Sequence, residues 1–286
     1  MTTSSHTTFQ TADGVTLAYD VQGRGTPLLC LAGLTRNMDD FDPVVTHFSD
    51  RAMVIRLDSR GRGASDFTDP ATYTIAQESA DALALLDHLN IDRAAILGTS
   101  RGGLIAMVLA ATAKSRLSGV LLNDIGPELD PAGLAHIMDY LGRPCAYRSY
   151  ADAAEKLPVA LGAQFPNVTR EAWLTYARRL WTEGPTRLAL RYDPRLRDAV
   201  ESAGATGETP DLWPLFDALD GLPLALLRGE NSNLLTRACA AHMQRHRPDM
   251  IFAEVKDRGH VPFLDESESR DVIERFLAQV AVRVTQ

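Results

Sequence analysis

Ala94-Ala95-Ile96-Leu97-Gly98-Thr99-Ser100-Arg101-Gly102-Gly103-Leu104-Ile105-Ala106-Met107 is the stretch whose reading decides the fold. An apolar run ends in Gly-Thr-Ser-Arg-Gly-Gly, and an alanine-rich helical pattern follows at once. The order predicts a strand, a tight turn and a helix, with a serine at the tip of the turn. Gly98 and Gly102 stand two residues to either side of Ser100, where a sharp backbone turn leaves no room for a Cβ. Such a turn exposes the hydroxyl and aims the following backbone N–H groups at any oxygen placed near it. G-x-S-x-G between a strand and a helix is the pattern of a nucleophile elbow. The same letters also suit an ordinary strand-to-helix turn with a serine N-cap.

The same alternation runs outward on both sides. Pro27–Ala32, Ala52–Leu57, Leu117–Asp124, Pro223–Gly229 and Met250–Val255 are short apolar runs, as expected of strands buried on both faces of a parallel sheet. Helical periodicity covers Asp39–Phe48, Ile75–Leu89, a stretch from about Leu235, and Ser267–Val280. Thr8 to Tyr19 alternates around Asp13-Gly14, a hairpin signal. The expected fold class is α/β, with a mostly parallel central sheet, helices on both faces, and loops at the carboxyl ends of the strands building a site. Between residues 125 and 214 the strand–helix rhythm stops, and amphipathic stretches rich in aromatics and arginine replace it; Glu171–Trp181 is the clearest helix. The expected organisation is a core of residues 1–124 and 215–286 with a helical lid over 125–214.

Composition narrows the partners. With 286 residues, 45% hydrophobic and 23% charged, the chain has the make-up of a globular protein. A net charge of −8 argues against nucleic acid or an anionic membrane surface as partner. No apolar run approaches the roughly 20 residues needed to span a bilayer, and Met1–Thr8 carries neither the basic nor the apolar segment of a signal peptide. Cys30, Cys145 and Cys239 are an odd number, widely spaced and without a CxxC, which favours a reducing cytoplasm and offers no zinc site. The expected partner is a small-molecule substrate, with a homo-oligomer left open.

A serine hydroxyl is a poor nucleophile until a base takes its proton. Of the seven histidines, His47, His88, His136, His242 and His246 fall in predicted helices and His6 near the amino terminus. Only His260, in Arg258-Gly259-His260-Val261-Pro262, follows a strand in a glycine-containing loop. Together with Gly33 and its following loop, and with Asp58-Ser59-Arg60-Gly61-Arg62-Gly63-Ala64-Ser65, these features resemble the α/β-hydrolase superfamily from about Phe9 to the last helix, the lid excepted. The resemblance implies that Ser100 is the nucleophile and His260 the general base and acid. It also implies an oxyanion hole from the backbone N–H groups of Leu34 and Arg101. Ala32 stands where such proteins usually carry a histidine. No cofactor and no metal is implied. Arg36 and Arg101 flank the expected hole, where an arginine can hold a substrate carboxylate, face solvent or brace an acidic neighbour. Trp173, Tyr176, Trp181 and Tyr192 of the lid are candidates for an apolar pocket wall.

The third member of the triad is the difficulty. By resemblance it follows the strand before the histidine strand, where relatives carry Ser-Asp and this chain has Ser232-Asn233. An asparagine supplies no negative charge. Three readings stand side by side. The acid has moved to Asp124, at the end of a neighbouring strand about 4.8 Å away; or Glu230 reaches inward; or Asn233 occupies the acid position by drift or deliberate substitution and leaves activity weak. Asn233 also suits the N-cap of the following helix. The expected function is a serine hydrolase acting on a small to medium ester, lactone or thioester. Carbon–carbon bond hydrolases and cofactor-free oxygenases keep the same serine and histidine, and a ligand-binding relative without turnover is the rival from another class.

Overall fold

Strands β1 (Thr7–Gln10) and β2 (Thr16–Gly23) form the antiparallel hairpin expected around Asp13-Gly14, with Phe9 opposite Leu17. The computed structural model describes residues 6–204 and 211–284. Residues 1–5 of the amino-terminal segment and residues 205–210 of the expected lid lie outside the described residues. After the hairpin come β3 (Thr26–Leu31), helix α1 (Asp42–Phe48), β4 (Ala52–Leu57), α2 (Ile75–His88), β5 (Ala94–Thr99), α3 (Arg101–Thr112) and β6 (Leu117–Asn123). The insertion then supplies α4 (Pro131–Tyr140), α5 (Tyr150–Leu161), α6 (Arg170–Leu180), a two-residue pair β7 (Trp181–Thr182) and β8 (Ala189–Leu190), and α7 (Leu196–Gly204). The chain returns to the core through α8 (Trp213–Asp217), β9 (Leu224–Gly229), α9 (Arg237–His246), β10 (Ile251–Val255) and α10 (Ser267–Val284).

Eight strands make one sheet in the order β1-β2-β4-β3-β5-β6-β9-β10, parallel from β4 onward. This is the α/β fold expected, with helices on both faces. Strands β5, β6 and β9 are buried at every residue, which is why their sequences are mostly apolar rather than alternating. One face of the sheet packs on α2 and α3 through Leu85, Leu86, Ile105 and Leu109. The other packs on α1 and α10 through Val44, Phe48, Ile273 and Phe276. Pairing of Leu31 with Gly98, Thr99 with Asn123, and Asn123 with Leu227 brings the carboxyl ends of four adjacent strands level. Everything that follows a strand at this level meets at one place.

The insertion has its own core, in which Trp173 packs with Phe165, Leu157 and Leu188. It also contains the β7–β8 pair, which its lack of alternation did not announce. Cys30, Cys145 and Cys239 are all buried and unbridged, and burial pushes the Cys239 thiol up to about 11. No helix among the described residues is long and apolar enough to cross a membrane.

Asp58, at the end of β4, is buried and accepts backbone N–H groups from Met38 at 2.7 Å and Ala64 at 2.8 Å. Burial pushes its carboxyl up to about 6, against the pull of those two N–H groups. A carboxyl raised above its unfolded value binds more protons in the folded state, so its contribution to stability is lost as pH rises from about 4 to 6. The amount at stake is ~3 kcal/mol. Urea unfolding of the wild type and Asp58→Asn between pH 4 and 7 should therefore show the wild type's advantage greatest at pH 4 and shrinking toward pH 7. A constant gap across that range would show that Asp58 does not titrate there.

Candidate active site

Ser100 sits between β5 and α3 with φ +51° and ψ −116°, a sparsely populated conformation for a residue with a Cβ. The crowding around it explains the glycines. A Cβ on Gly98 would lie 2.5 Å from the Gly102 carbonyl oxygen, and one on Gly102 would lie 2.0 Å from the Leu31 carbonyl oxygen. The turn is thus pressed between the start of α3 and the end of β3, and only bare backbone fits. Ser100 N–H donates to the Asn123 carbonyl at 3.0 Å, tying the turn to β6. Ser100 makes no side-chain cap on α3, so the N-cap reading does not describe it.

His260 lies in the loop after β10, with its imidazole between two partners. Its Nε2 is 2.9 Å from Ser100 Oγ, and its Nδ1 is 2.8 Å from Asp124 Oδ2. A carboxylate only accepts, so Nδ1 carries the proton toward Asp124 and Nε2 is left to accept from the serine hydroxyl. Asp124 is fully buried directly after β6, with φ +57°. Its carboxylate has three donors: Gly229 N–H at 2.8 Å on Oδ1, and Ser232 Oγ at 2.6 Å with His260 Nδ1 on Oδ2. A buried carboxylate is tolerated when its oxygens are met in this way.

The other two acid candidates are elsewhere. Glu230 turns away and accepts the Asp257 N–H at 3.1 Å. Asn233 lies on the cavity wall, and the helix that follows is capped by Thr236, whose side chain accepts from Cys239 N–H. That corrects the expectation of Asn233 as N-cap, because α9 begins at Arg237 and its cap lies three residues further along. Ser232, its neighbour, was not singled out from the sequence, yet its hydroxyl bonds the Asp124 carboxylate and accepts the Leu234 and Leu235 N–H groups.

Leu34 and Arg101 stand beside Ser100. A Cβ on Gly33 would lie 3.6 Å from Ser100 Cβ, and Arg101 is the first residue of α3, where backbone N–H groups have no partner within the helix. The Gly33 carbonyl accepts the Arg36 N–H at 3.1 Å; in a trans peptide this directs the Leu34 N–H the opposite way.

Of the three roles open to Arg36 and Arg101, both take that of bracing an acidic neighbour. Arg36 forms two bonds with Asp40, of 2.6 and 2.5 Å, and lies 4.7 Å over the Tyr176 ring. Burial pulls its pKa down, but Asp40 outweighs this and holds the guanidinium charged. The Arg101 side chain bonds Glu78 through Nε and Nη2. Above Ser100 is a cavity of about 470 Å³ lined by Leu34, Arg36, Tyr176, Trp181 and Tyr192 among others. Trp173 is off this wall: only 1% exposed, it packs edge-on behind Phe165 and Tyr176 in the insertion's core. No group of three or more His, Cys, Asp or Glu side chains among the described residues is arranged to hold a metal ion.

Comparison with known proteins agrees with the fold. A family model for the alpha/beta hydrolase fold matches residues 26–267. The chain is 36% identical to 3-hydroxybutyrate-oligomer hydrolase from Cupriavidus necator, covering 84% of this chain and 85% of that protein. It is 28% identical to 2-(acetamidomethylene)succinate hydrolase from Mesorhizobium japonicum, over 86% and 85% of the two chains. The crystal structure of an alpha/beta hydrolase from Novosphingobium aromaticivorans superposes with a TM-score of 0.89 at 38% identity, covering 96% of this chain and 98% of that one.

Proposed function

This chain belongs to the α/β hydrolase fold family, and from that premise we propose that it is a serine hydrolase cleaving esters through an acyl-enzyme on Ser100. The observation that carries the reading is the hydrogen-bonded series Ser100 Oγ, His260, Asp124, with spacings of 2.9 and 2.8 Å, below a cavity large enough for a small ester.

In the proposed cycle His260 Nε2 takes the hydroxyl proton as Ser100 Oγ attacks the ester carbonyl. Asp124 holds the imidazole in the productive tautomer and stabilises its protonated form. The Leu34 and Arg101 N–H groups receive the oxyanion; such donors contribute about 3–4 kcal/mol each. The protonated His260 then gives its proton to the leaving alkoxide. Water, deprotonated by the same imidazole, attacks the acyl-enzyme, and Ser100 recovers its proton as the acid departs. We take the insertion over residues 125–214 as a lid, with Tyr176 and Trp181 supplying apolar wall. The name of the C. necator relative supports a substrate class, esters formed between short hydroxy acids, which we adopt over lactones and thioesters.

The rival reading, a binding protein without turnover, rested on Asn233. Asp124, held by three donors against His260, removes the need for an acid at that position. A fluorophosphonate should label the wild type at a single site and leave Ser100→Ala unlabelled, with ester turnover falling to background in the variant. Equal labelling of both proteins, or a wild type inert to reagent and ester alike, would sink the reading.

A further inference from the structure

Glu78 lies one turn into α2, and its side chain is only 2% exposed. It sits on the apolar face of that helix, three residues after Ile75 and four before Ala82. Two guanidiniums converge on it. Oε1 accepts Arg62 Nη1 at 2.9 Å and Arg101 Nη2 at 2.7 Å, and Oε2 accepts Arg101 Nε at 2.9 Å. Arg62 continues the chain: its Nε donates to the Leu34 carbonyl at 2.9 Å and its Nη1 to the Arg60 carbonyl at 2.6 Å. Arg101 Nη2 also reaches the Tyr73 carbonyl at 2.8 Å.

From these contacts we infer that Glu78 is a positioning residue for the oxyanion hole. One carboxylate joins the two residues whose backbone N–H groups receive the developing negative charge, Arg101 directly and Leu34 through Arg62. The inference rests on the serine-hydrolase reading above.

The parts suit this work better than they suit stability. Burying a carboxylate with two guanidiniums is a poor way to stabilise a fold, because apolar side chains of similar volume do as well or better. What the arrangement does supply is fixed direction. A guanidinium is a rigid planar fork, so engaging Arg62 at both the Leu34 carbonyl and Glu78 fixes where that carbonyl lies. The two peptide units flanking Leu34 are then both restrained, one by Arg62 at the Leu34 carbonyl and the other by Arg36 N–H at the Gly33 carbonyl. On the other wall, the two-point bond between Arg101 and Glu78 anchors the first residue of α3. The two arginines outweigh the effect of burial and hold the Glu78 carboxyl below its ordinary range, so the tie stays charged at neutral pH.

Positioning and simple electrostatics predict opposite signs. Glu78→Gln removes a negative charge near the developing oxyanion, and charge alone would then speed the reaction. Loss of position slows it. The test uses the full-length protein, p-nitrophenyl acetate and its thionoacetate analogue. Thiocarbonyl sulfur is a weak hydrogen-bond acceptor and gains little from the hole, so the oxo-to-thiono rate ratio reports the hole itself. Glu78→Gln should lower kcat for the oxo ester about 100-fold with KM nearly unchanged, and lower the oxo-to-thiono ratio by about tenfold or more. Arg62→Lys, which keeps the charge and loses the fork, should lower the ratio in the same direction and serves if Glu78→Gln does not fold. An unchanged or faster Glu78→Gln, or equal losses on both esters, overturns the inference. A wild type that neither turns over the oxo ester nor takes the fluorophosphonate overturns the serine-hydrolase reading instead.

Discussion

Asp124→Asn should lower kcat about ten-thousandfold, ~5 kcal/mol of barrier, because the same exchange in a serine protease triad has that effect. The amide would turn either its oxygen or its NH2 toward His260 Nδ1. In the second case the imidazole is driven to the tautomer that cannot accept from Ser100. Two of the three donors now met by Asp124, Gly229 N–H and Ser232 Oγ, would compete for the single remaining oxygen. KM should move little, since the carboxylate is buried behind His260 and away from substrate. Asn233→Asp is the companion. It adds a carboxylate on the cavity wall where the triad has no vacancy, and kcat should stay within about threefold of wild type. A steep rise in turnover for Asn233→Asp, with little loss for Asp124→Asn, would move the acid back to position 233. Steady-state kinetics on one p-nitrophenyl ester decide the matter.

Gly102→Ala should destabilise the fold by about 3 kcal/mol or more, at the upper end for an added methyl. The new Cβ would sit 2.0 Å from the Leu31 carbonyl oxygen and 2.9 Å from Leu31 Cβ. Neither contact is the free end of a side chain, so relief requires α3 to lift from β3. Urea unfolding should show the midpoint falling with an unchanged slope, the signature of lost stability without a change in the surface exposed. Lifting α3 also displaces the Arg101 N–H, so the folded fraction should be slower as well. Gly102→Ala with wild-type stability would mean that the turn has more room than its geometry allows.

Much of the frame was legible in the residues because burial on two faces leaves so little choice. Runs such as Leu28-Leu29-Cys30-Leu31 and Val120-Leu121-Leu122 suit the middle of a covered sheet, and the glycines around Ser100 suit a turn pressed against a neighbouring strand. The acid was harder to place. Asp124, Glu230 and Asn233 all follow strands that end at the same level, and spacing along the chain does not say which side chain turns toward His260. That choice is made by the left-handed backbone at Asp124 and by Ser232, a residue 108 positions further along the chain. Which of three roles Arg36 and Arg101 take was left open for a related reason. Both read as cations near a site, whereas Asp40 and Glu78 occupy their guanidinium forks. The signal for Glu78 was present: a glutamate in register with Ile75 and Ala82 is a charge on a core-facing position. The insertion was least legible, because its aromatic residues pack chiefly on one another and Trp173 looks no different in sequence from Trp181.

Asp124 closes β6 and immediately precedes the insertion, and that adjacency bears on how such proteins can be recombined. A chimera that exchanges the insertion with a crossover after Asp124 keeps Ser100, His260 and Asp124 from one parent, with Gly229 and Ser232 waiting for the carboxylate. Move the crossover one residue earlier and the acid comes from the donor, to be held by donors it did not evolve beside. The boundary of such a graft therefore decides whether the hydrogen bonds between Asp124 and His260, Gly229 and Ser232 survive it.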